Sequence, residues 1–310
     1  GKIDNCVIGQ QLLYTDNDPK NPFRCVVASD LYLPESWDAN RDRCKRAGIP
    51  DAITYRPNWK IAMEQIKRTL AQGLRFDYVT YDEEYGKVPA FLFELDGIGQ
   101  KAIGEVPANF RVWVKKPACK SNRAEHASHR VDKIASHSPA FYGQSWQKME
   151  LKDTTRGKCI WHVKSAPVHL VEHKDNKSYC PVPTDRTYWL IVAHNRQTGE
   201  MKYFVSNAPV KEKLETLMEI AFSRWHVEKW FERAKQECGF GAFEVRTYTS
   251  LIRHWLASRL AMYFLADQTH RLRGEKSEDH VGTSGRCGQY AGLEDMANIS
   301  VFMEAESICV

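Results

Sequence analysis

Along the first two thirds of the chain, apolar residues alternate with polar ones or gather in short β-branched and aromatic runs. After Pro209 they recur every three or four positions. The first pattern predicts strands and the second predicts helices. Residues 6–15 (CVIGQQLLYT) and 23–33 (FRCVVASDLYL), joined by the turn-rich NDPKNP, read as an antiparallel hairpin. An irregular stretch over 34–55 holds a short helix near 38–47. A helix follows over 58–73, with Asn58 as its cap, Ile61, Ile66 and Leu70 on its inner face, and Gly73 as its stop. The run FDYVTY (76–81) predicts a strand, 83–95 a helix, and 102–114 one or two strands around Pro107. Residues 119–206 read as a β-rich block, with strands at 159–164, 168–172, 188–194 and 201–206, the last two separated by the turn NRQTGE. Helices are expected over 211–223, 223–240 and 248–272. The last shows Leu251, Trp255, Ser258, Met262 and Leu265 along one face and reads as core. From Gly274 onward periodicity fades, and partial disorder is expected there.

The helix over 223–240 (SRWHVEKWFERAKQECGF) has the most unusual surface. Arg224, Glu228 and Lys235 are spaced by four and seven, so at 3.6 residues per turn they share one side. Val227, Trp230, Phe231 and Ala234 form an adjoining apolar stripe, and Gly239 is placed to end the helix. Such a seam is either ordinary ion-pair support on a solvated face or a functional edge.

Charge sharpens the picture only locally. The chain of 310 residues carries a formal charge of +5, which permits a polyanionic partner without requiring one. The basic residues gather at Arg111, Lys115, Lys116, Lys120, Arg123 and Arg130 against the single acid Glu125, and again over 224–273. Local basic patches neutralise phosphates. No run approaches the roughly 18 apolar residues of a membrane span, so a soluble, cytoplasmic protein without membrane contact is expected. Nine scattered cysteines with no C-x-x-C suggest reduced thiols rather than a disulfide frame or a zinc site. His126, His129 and His137 lack partners at metal-ligand spacing.

Asp82 stands directly after a buried-looking strand, which is where α/β folds place functional groups, and it is also where a helix cap belongs. Asp77 alternates to the strand's other side. A carboxylate at a strand end and another on a helix, as in Asp82 and Glu228, are what a two-metal phosphoryl-transfer site needs, usually with a third. Such a site holds ions about 4 Å apart that stabilise the attacking and leaving oxygens.

The segments GKIDNCVIG, LYLPESW, VTYDEEYG, VPANFRVWV, TYWLIVAHNRQTGEMKYFVSNAP and RWHVEKWFERAKQECGFGAFEVRTYTSLIRHW resemble bacterial insertion-sequence DDE transposases, in the branch with a β-strand insertion before the third acid. The resemblance runs over about residues 1–272. In that group the third acid lies in Y-x2-R-x3-E-x6-K; Arg224, Glu228 and Lys235 match its last three positions, and Ala221 replaces the tyrosine. The resemblance implies an α/β, RNase H-like fold with Asp82 and Glu228 as the second and third metal-binding acids. It also implies Mg²⁺ or Mn²⁺, cleavage of double-stranded DNA at transposon ends, and strand transfer into a target, with a homodimer as one option for assembly. Arg224 and Lys235 would contact phosphates near the scissile bond. Arg111, Lys115 and Lys116 at the root of the insertion would help hold DNA on charge grounds. The expected division is a core over 1–118, the insertion over 119–206, a helical return of the core over 207–272 and a tail over 273–310.

In the same family the first aspartate precedes a GKIDNC-like segment, and the sequence given begins at that segment. Asp4 and Asp30 are the nearest acids, and neither occupies the matching place. The expectation is therefore an N-terminally truncated transposase with little strand transfer, since a set of residues acting as a unit loses most of its rate with one member. A non-catalytic DNA-binding remnant and another RNase H-like nuclease are the competing readings.

Overall fold

A computed structural model describes residues 6–16, 18, 21–120, 123–154, 157–173, 181–278 and 300–309. In chain order the elements begin with β1 (Cys6–Thr15), β2 (Arg24–Tyr32), α1 (Glu35–Asp38), α2 (Arg41–Arg46) and α3 (Asn58–Ala71). Next come β3 (Tyr78–Tyr81), α4 (Glu83–Gly86), α5 (Pro89–Gly97), β4 (Lys101–Val106), β5 (Arg111–Trp113), β6 (Cys119–Lys120), β7 (Arg123–Ala124) and β8 (His129–Arg130). They are followed by α6 (Val131–His137), α7 (Pro139–Tyr142), β9 (Gln147–Thr154), β10 (Gly157–Glu172), β11 (Val182–Pro183), β12 (Tyr188–His194) and β13 (Met201–Ser206). The series ends with α8 (Leu214–Ser223), α9 (Trp225–Cys238), α10 (Tyr248–Glu278) and β14 (Ser300–Cys309). Packing divides the chain into two units, one of residues 1–77 with 226–310 and one of residues 78–225.

In the first unit the expected hairpin is present. β1 and β2 pair antiparallel from Ile8 opposite Tyr32 to Thr15 opposite Arg24, with a register shift between Leu12 and Leu13. The other edge of β1 is taken by β14, antiparallel from Cys6 opposite Cys309 to Thr15 opposite Ser300. Within the tail, where partial disorder is expected up to a short run near its end, residues 300–309 form a strand; residues 279–299 lie outside the described ones. Asn58 does not cap α3. It is the first helical residue behind Pro57, and its carbonyl accepts the Gln10 amide at 2.7 Å. Leu13 packs with Val227, Trp230, Phe231 and Ala234 of α9 and with Leu251, Trp255 and Met262 of α10. Each such fully buried side chain contributes about 1.5–3 kcal/mol.

Only one face of α10 is core. Leu251, Trp255, Ser258 and Met262 are buried, whereas Leu265 lies outward with Leu256, Leu260, Tyr263, Phe264 and Leu272. Four of the five positions expected along the packing face are thus buried, and Leu265 alone departs from it.

The second unit is a mixed sheet. β3 and β4 are parallel, Tyr78 beside Lys101 through Tyr81 beside Gly104, and α4 and α5 supply the crossover that parallel strands require. The helix expected over 83–95 breaks into two because Pro89 opens a new one. β13 pairs antiparallel with β4, β12 with β13, and β10 with β12, so the β-rich block extends the core sheet instead of standing apart from it. The runs expected as strands at 159–164 and 168–172 fuse into β10 through Pro167, which pairs opposite Trp189. A strand tolerates proline where no ladder N–H is required. α8 seals the sheet: Phe222 meets Trp161 at 4.8 Å and Phe204 at 5.6 Å between ring centres. Ala221, where the resemblance expects tyrosine, is buried in this cluster. The α/β architecture expected for an RNase H-like core is observed.

Candidate functional site

Asp82 follows β3, whose four residues are all buried. Its backbone is extended (φ −85°, ψ −177°), and its Oδ1 accepts the N–H groups of Glu84 at 3.0 Å and Tyr85 at 3.4 Å. It therefore caps α4, as one of its two sequence readings required. Both bonds fall on Oδ1, and among the described residues Oδ2 accepts none.

Two glycines set this turn. A Cβ on Gly86 would lie 1.8 Å from the carbonyl oxygen of Glu105, so α4 rests on the β4 backbone through a residue that must have no side chain. A Cβ on Gly104 would lie 1.8 Å from the ring of Tyr81, the residue before Asp82. Tyr81 in turn meets Phe91 edge-on at 5.0 Å. Close packing thus holds the end of β3 and directs the cap.

The electrostatics of Asp82 are those of a carboxyl deprived of water. Burial raises its pKa above the ordinary carboxylate value; the positive charge of Arg224 and the two backbone N–H groups pull it down, and Glu84 adds to the rise. Burial wins. Arg224 is half-buried and belongs to the same unit.

Arg224 is not on the helix that carries Glu228. α8 stops at Ser223, whose hydroxyl donates to the Ile220 carbonyl at 2.7 Å, the acceptor that the Arg224 N–H would use in a continuous helix. Arg224 keeps helical dihedrals (φ −52°, ψ −33°) and α9 restarts at Trp225. A serine in a helix is too common to signal such a break. Glu228 and Lys235 are exposed on α9, seven positions apart and therefore on one side of it. The buried stripe of α9 is Val227, Trp230, Phe231 and Ala234, as its spacing predicts. Gly239 ends the helix with φ +61°. His254 and Ser258 of α10 bond to the carbonyls of Gly239 and Cys238 at 2.8 and 3.0 Å, closing the helix end.

The basic residues expected at the root of the insertion differ in availability. Arg111 donates to Ser128 through both its Nε, at 3.1 Å, and its Nη2, which ties β5 to the segment before β8. Lys116 pairs with Asp185 at 2.8 Å. Lys115 is exposed. Asp30 accepts from Gln65 at 2.8 Å and Arg68 at 2.7 Å, a structural role, while Asp4 lies outside the described residues.

As a ligand for a divalent cation, Asp82 has the right chemistry: a hard oxygen donor, partly desolvated, with Oδ2 outside the cap. Among the described residues no three His, Cys, Asp or Glu side chains gather within reach of one ion. No described helix is long and apolar enough to cross a membrane.

Sequence reasoning missed a second set of charges, in the first unit, where Arg24 of β2 bonds to His226 of α9 and is acted on by the charges of Arg233 of α9 and Arg273 of α10. These come from three elements, and no local spacing marks them. A family model described as DDE superfamily endonuclease matches residues 1–166. No curated protein matches the chain.

Proposed function

Because the chain belongs to the DDE superfamily of endonucleases, we propose that it is the catalytic part of a DNA transposase of the insertion-sequence type, cutting DNA at element ends and transferring the freed 3′-hydroxyl to a target. The observation that carries this reading is Asp82: a half-buried carboxyl at a strand end, braced by α4 through one oxygen and acted on by the charge of Arg224.

Asp82 would offer a carboxylate to Mg²⁺ or Mn²⁺, and Glu228 is proposed as a further metal-binding acid from its place in the R-x3-E-x6-K pattern. A divalent ion, when bound, stabilises charge on the attacking and leaving oxygens of an in-line displacement. Arg224 offsets the negative charge of Asp82 and offers planar N–H groups to a phosphate, and Lys235 adds a point charge for the same backbone. The N–H groups of Glu84 and Tyr85 on Oδ1 orient the Asp82 carboxyl.

The residue at which the sequence starts says nothing of the rate, so the test uses the chain as it stands. Supercoiled DNA is incubated with the protein in Mn²⁺. Nicking is expected, and Asp82→Asn and Glu228→Ala each abolish it while salt-dependent DNA binding persists. Nicking that survives both substitutions removes these residues from catalysis. DNA binding without Mn²⁺-dependent nicking overturns the enzyme reading in favour of a non-catalytic DNA-binding protein.

A further inference from the structure

More than half of the large apolar side chains exposed among the described residues lie on α10: Leu256, Leu260, Tyr263, Phe264, Leu265 and Leu272, each 42–60% exposed. They are not scattered around the helix. Leu256, Leu260 and Phe264 follow at intervals of four, one turn apart, on the side opposite the buried Leu251, Trp255, Ser258 and Met262. Ala257 and Ala261, also exposed, run beside them, so a ridge of large side chains borders a shallow groove. The helix cannot hide this face by turning about its axis. Trp255 is stacked on Phe240 on the far side, and His270 and Asn21 exchange hydrogen bonds with each other's backbone carbonyls at 3.1 and 2.9 Å.

Six side chains about half exposed present on the order of 600 Å² of apolar surface, the upper end of what a monomer leaves uncovered and most of the roughly 800 Å² per partner of a stable interface. The charges say what covers it. Arg253 and Asp267 each lie seven residues from Leu260, one before and one after, and therefore on its side of the helix. Arg253 is exposed, and Asp267 is half-buried, paired with Arg271 at 3.0 Å on the same helix. Such an intrahelical surface pair is weak and can be shared with another cation. An apolar centre with opposite charges at equal distances on either side is complementary to itself when reversed end for end.

We propose that this face of α10 is a homodimer interface in which two copies of the chain cross antiparallel over Leu260. The two-fold axis passes beside that residue, so Leu256 meets the partner's Phe264 and Arg253 meets the partner's Asp267, each contact occurring twice. A parallel crossing would set Arg253 against the partner's Arg253 and Asp267 against the partner's Asp267, which charge forbids. The interface rests on the exposed face and not on the catalytic reading, so dimerisation and DNA nicking can fail separately.

Sedimentation equilibrium of the intact chain tests it, on wild type, Leu260→Glu, Arg253→Asp, Asp267→Arg and the double exchange, with circular dichroism to confirm that each is folded. All the substituted side chains face outward or are half-buried, so the fold is expected to persist. Wild type is expected at twice the mass of one chain at about 10 μM. Leu260→Glu sets two carboxylates together at the axis and should weaken the dimer by about a hundredfold or more. Either single charge reversal places like charges together twice and should weaken it by about tenfold, and the double exchange should restore the wild-type affinity to within about threefold. A wild type that is still monomeric at about 100 μM overturns the proposal and leaves the face to a different partner. A dimer untouched by Leu260→Glu also overturns it, and a double exchange no tighter than the single reversals overturns the antiparallel pairing.

Discussion

Arg224 stands close enough to Asp82 for its charge to oppose what burial does to that carboxyl, although the two lie at opposite ends of the second packing unit's sequence. The balance still leaves the pKa of Asp82 above its ordinary value. Asp82 is therefore a group whose charge the fold tolerates at a cost, and a cation would relieve that cost.

That cost has a sign that can be measured. The pKa of Asp82 is raised in the folded state, so its ionisation destabilises the chain once pH climbs past the ordinary carboxylate value near about 3.9. Below that value both states hold the proton and nothing is lost. Asp82→Asn keeps a good cap and removes the charge. The variant is expected to melt higher than wild type at pH 8, with the gain shrinking as pH falls through the carboxylate range. Calorimetry across that range checks it; a gain independent of pH would refute the assignment. Nicking should fall by about a thousandfold or more in the same variant.

Arg224→Gln tests the partner. Without the guanidinium, burial and Glu84 act on Asp82 with less opposition, so the carboxyl should titrate at higher pH than in wild type. Carbon-detected NMR of the Asp82 carboxyl reads this directly, and an unmoved titration would show that the two charges do not interact.

Gly86→Ala should be costly. Its Cβ would enter the Glu105 carbonyl, a backbone atom that cannot rotate away. A loss of about 2 kcal/mol or more is expected from urea denaturation. Gly97→Ala is the matched control, because a Cβ there meets nothing within 4 Å; it should be neutral or stabilising by about 0.5 kcal/mol.

The α9–α10 contact carries the helix on which Glu228 sits. Trp255 is 2% exposed and stacks on Phe240 at 5.8 Å and 16°. Trp255→Ala should cost about 3–5 kcal/mol. Ser258→Ala, which removes only the hydroxyl bonded to the Cys238 carbonyl, should cost about 1 kcal/mol. Chemical denaturation ranks the two, and equal costs would mean that the tryptophan is not the anchor.

Legibility followed distance along the chain. The hairpin, the strands at 188–194 and 201–206, the buried stripe of α9 and its stop at Gly239 all follow from neighbours a few residues apart, and each is found where the pattern puts it. Asp82 was legible in the same way, because a carboxylate after a short buried run marks a strand end. The break at Arg224, next to a Ser223 hydroxyl bonded to the Ile220 carbonyl, leaves no trace in the periodicity. Proline gave mixed signals: Pro89 starts a helix that the pattern ran through, while Pro167 fails to interrupt a strand that the pattern broke. The outward turn of Leu265 and the contact of Arg24 with His226 depend on contacts between distant segments, which one sequence read alone does not encode.

The strand at 300–309 pairs along its whole length with the one at 6–15, so the first unit is assembled from segments that lie on either side of the second in the sequence. The second unit is an unbroken stretch. During synthesis the second unit can therefore form before residues 300–309 are made, whereas β1 finds its β14 partner only afterwards. Order of manufacture and order of assembly consequently differ for the hairpin: made before the second unit, it is completed after it.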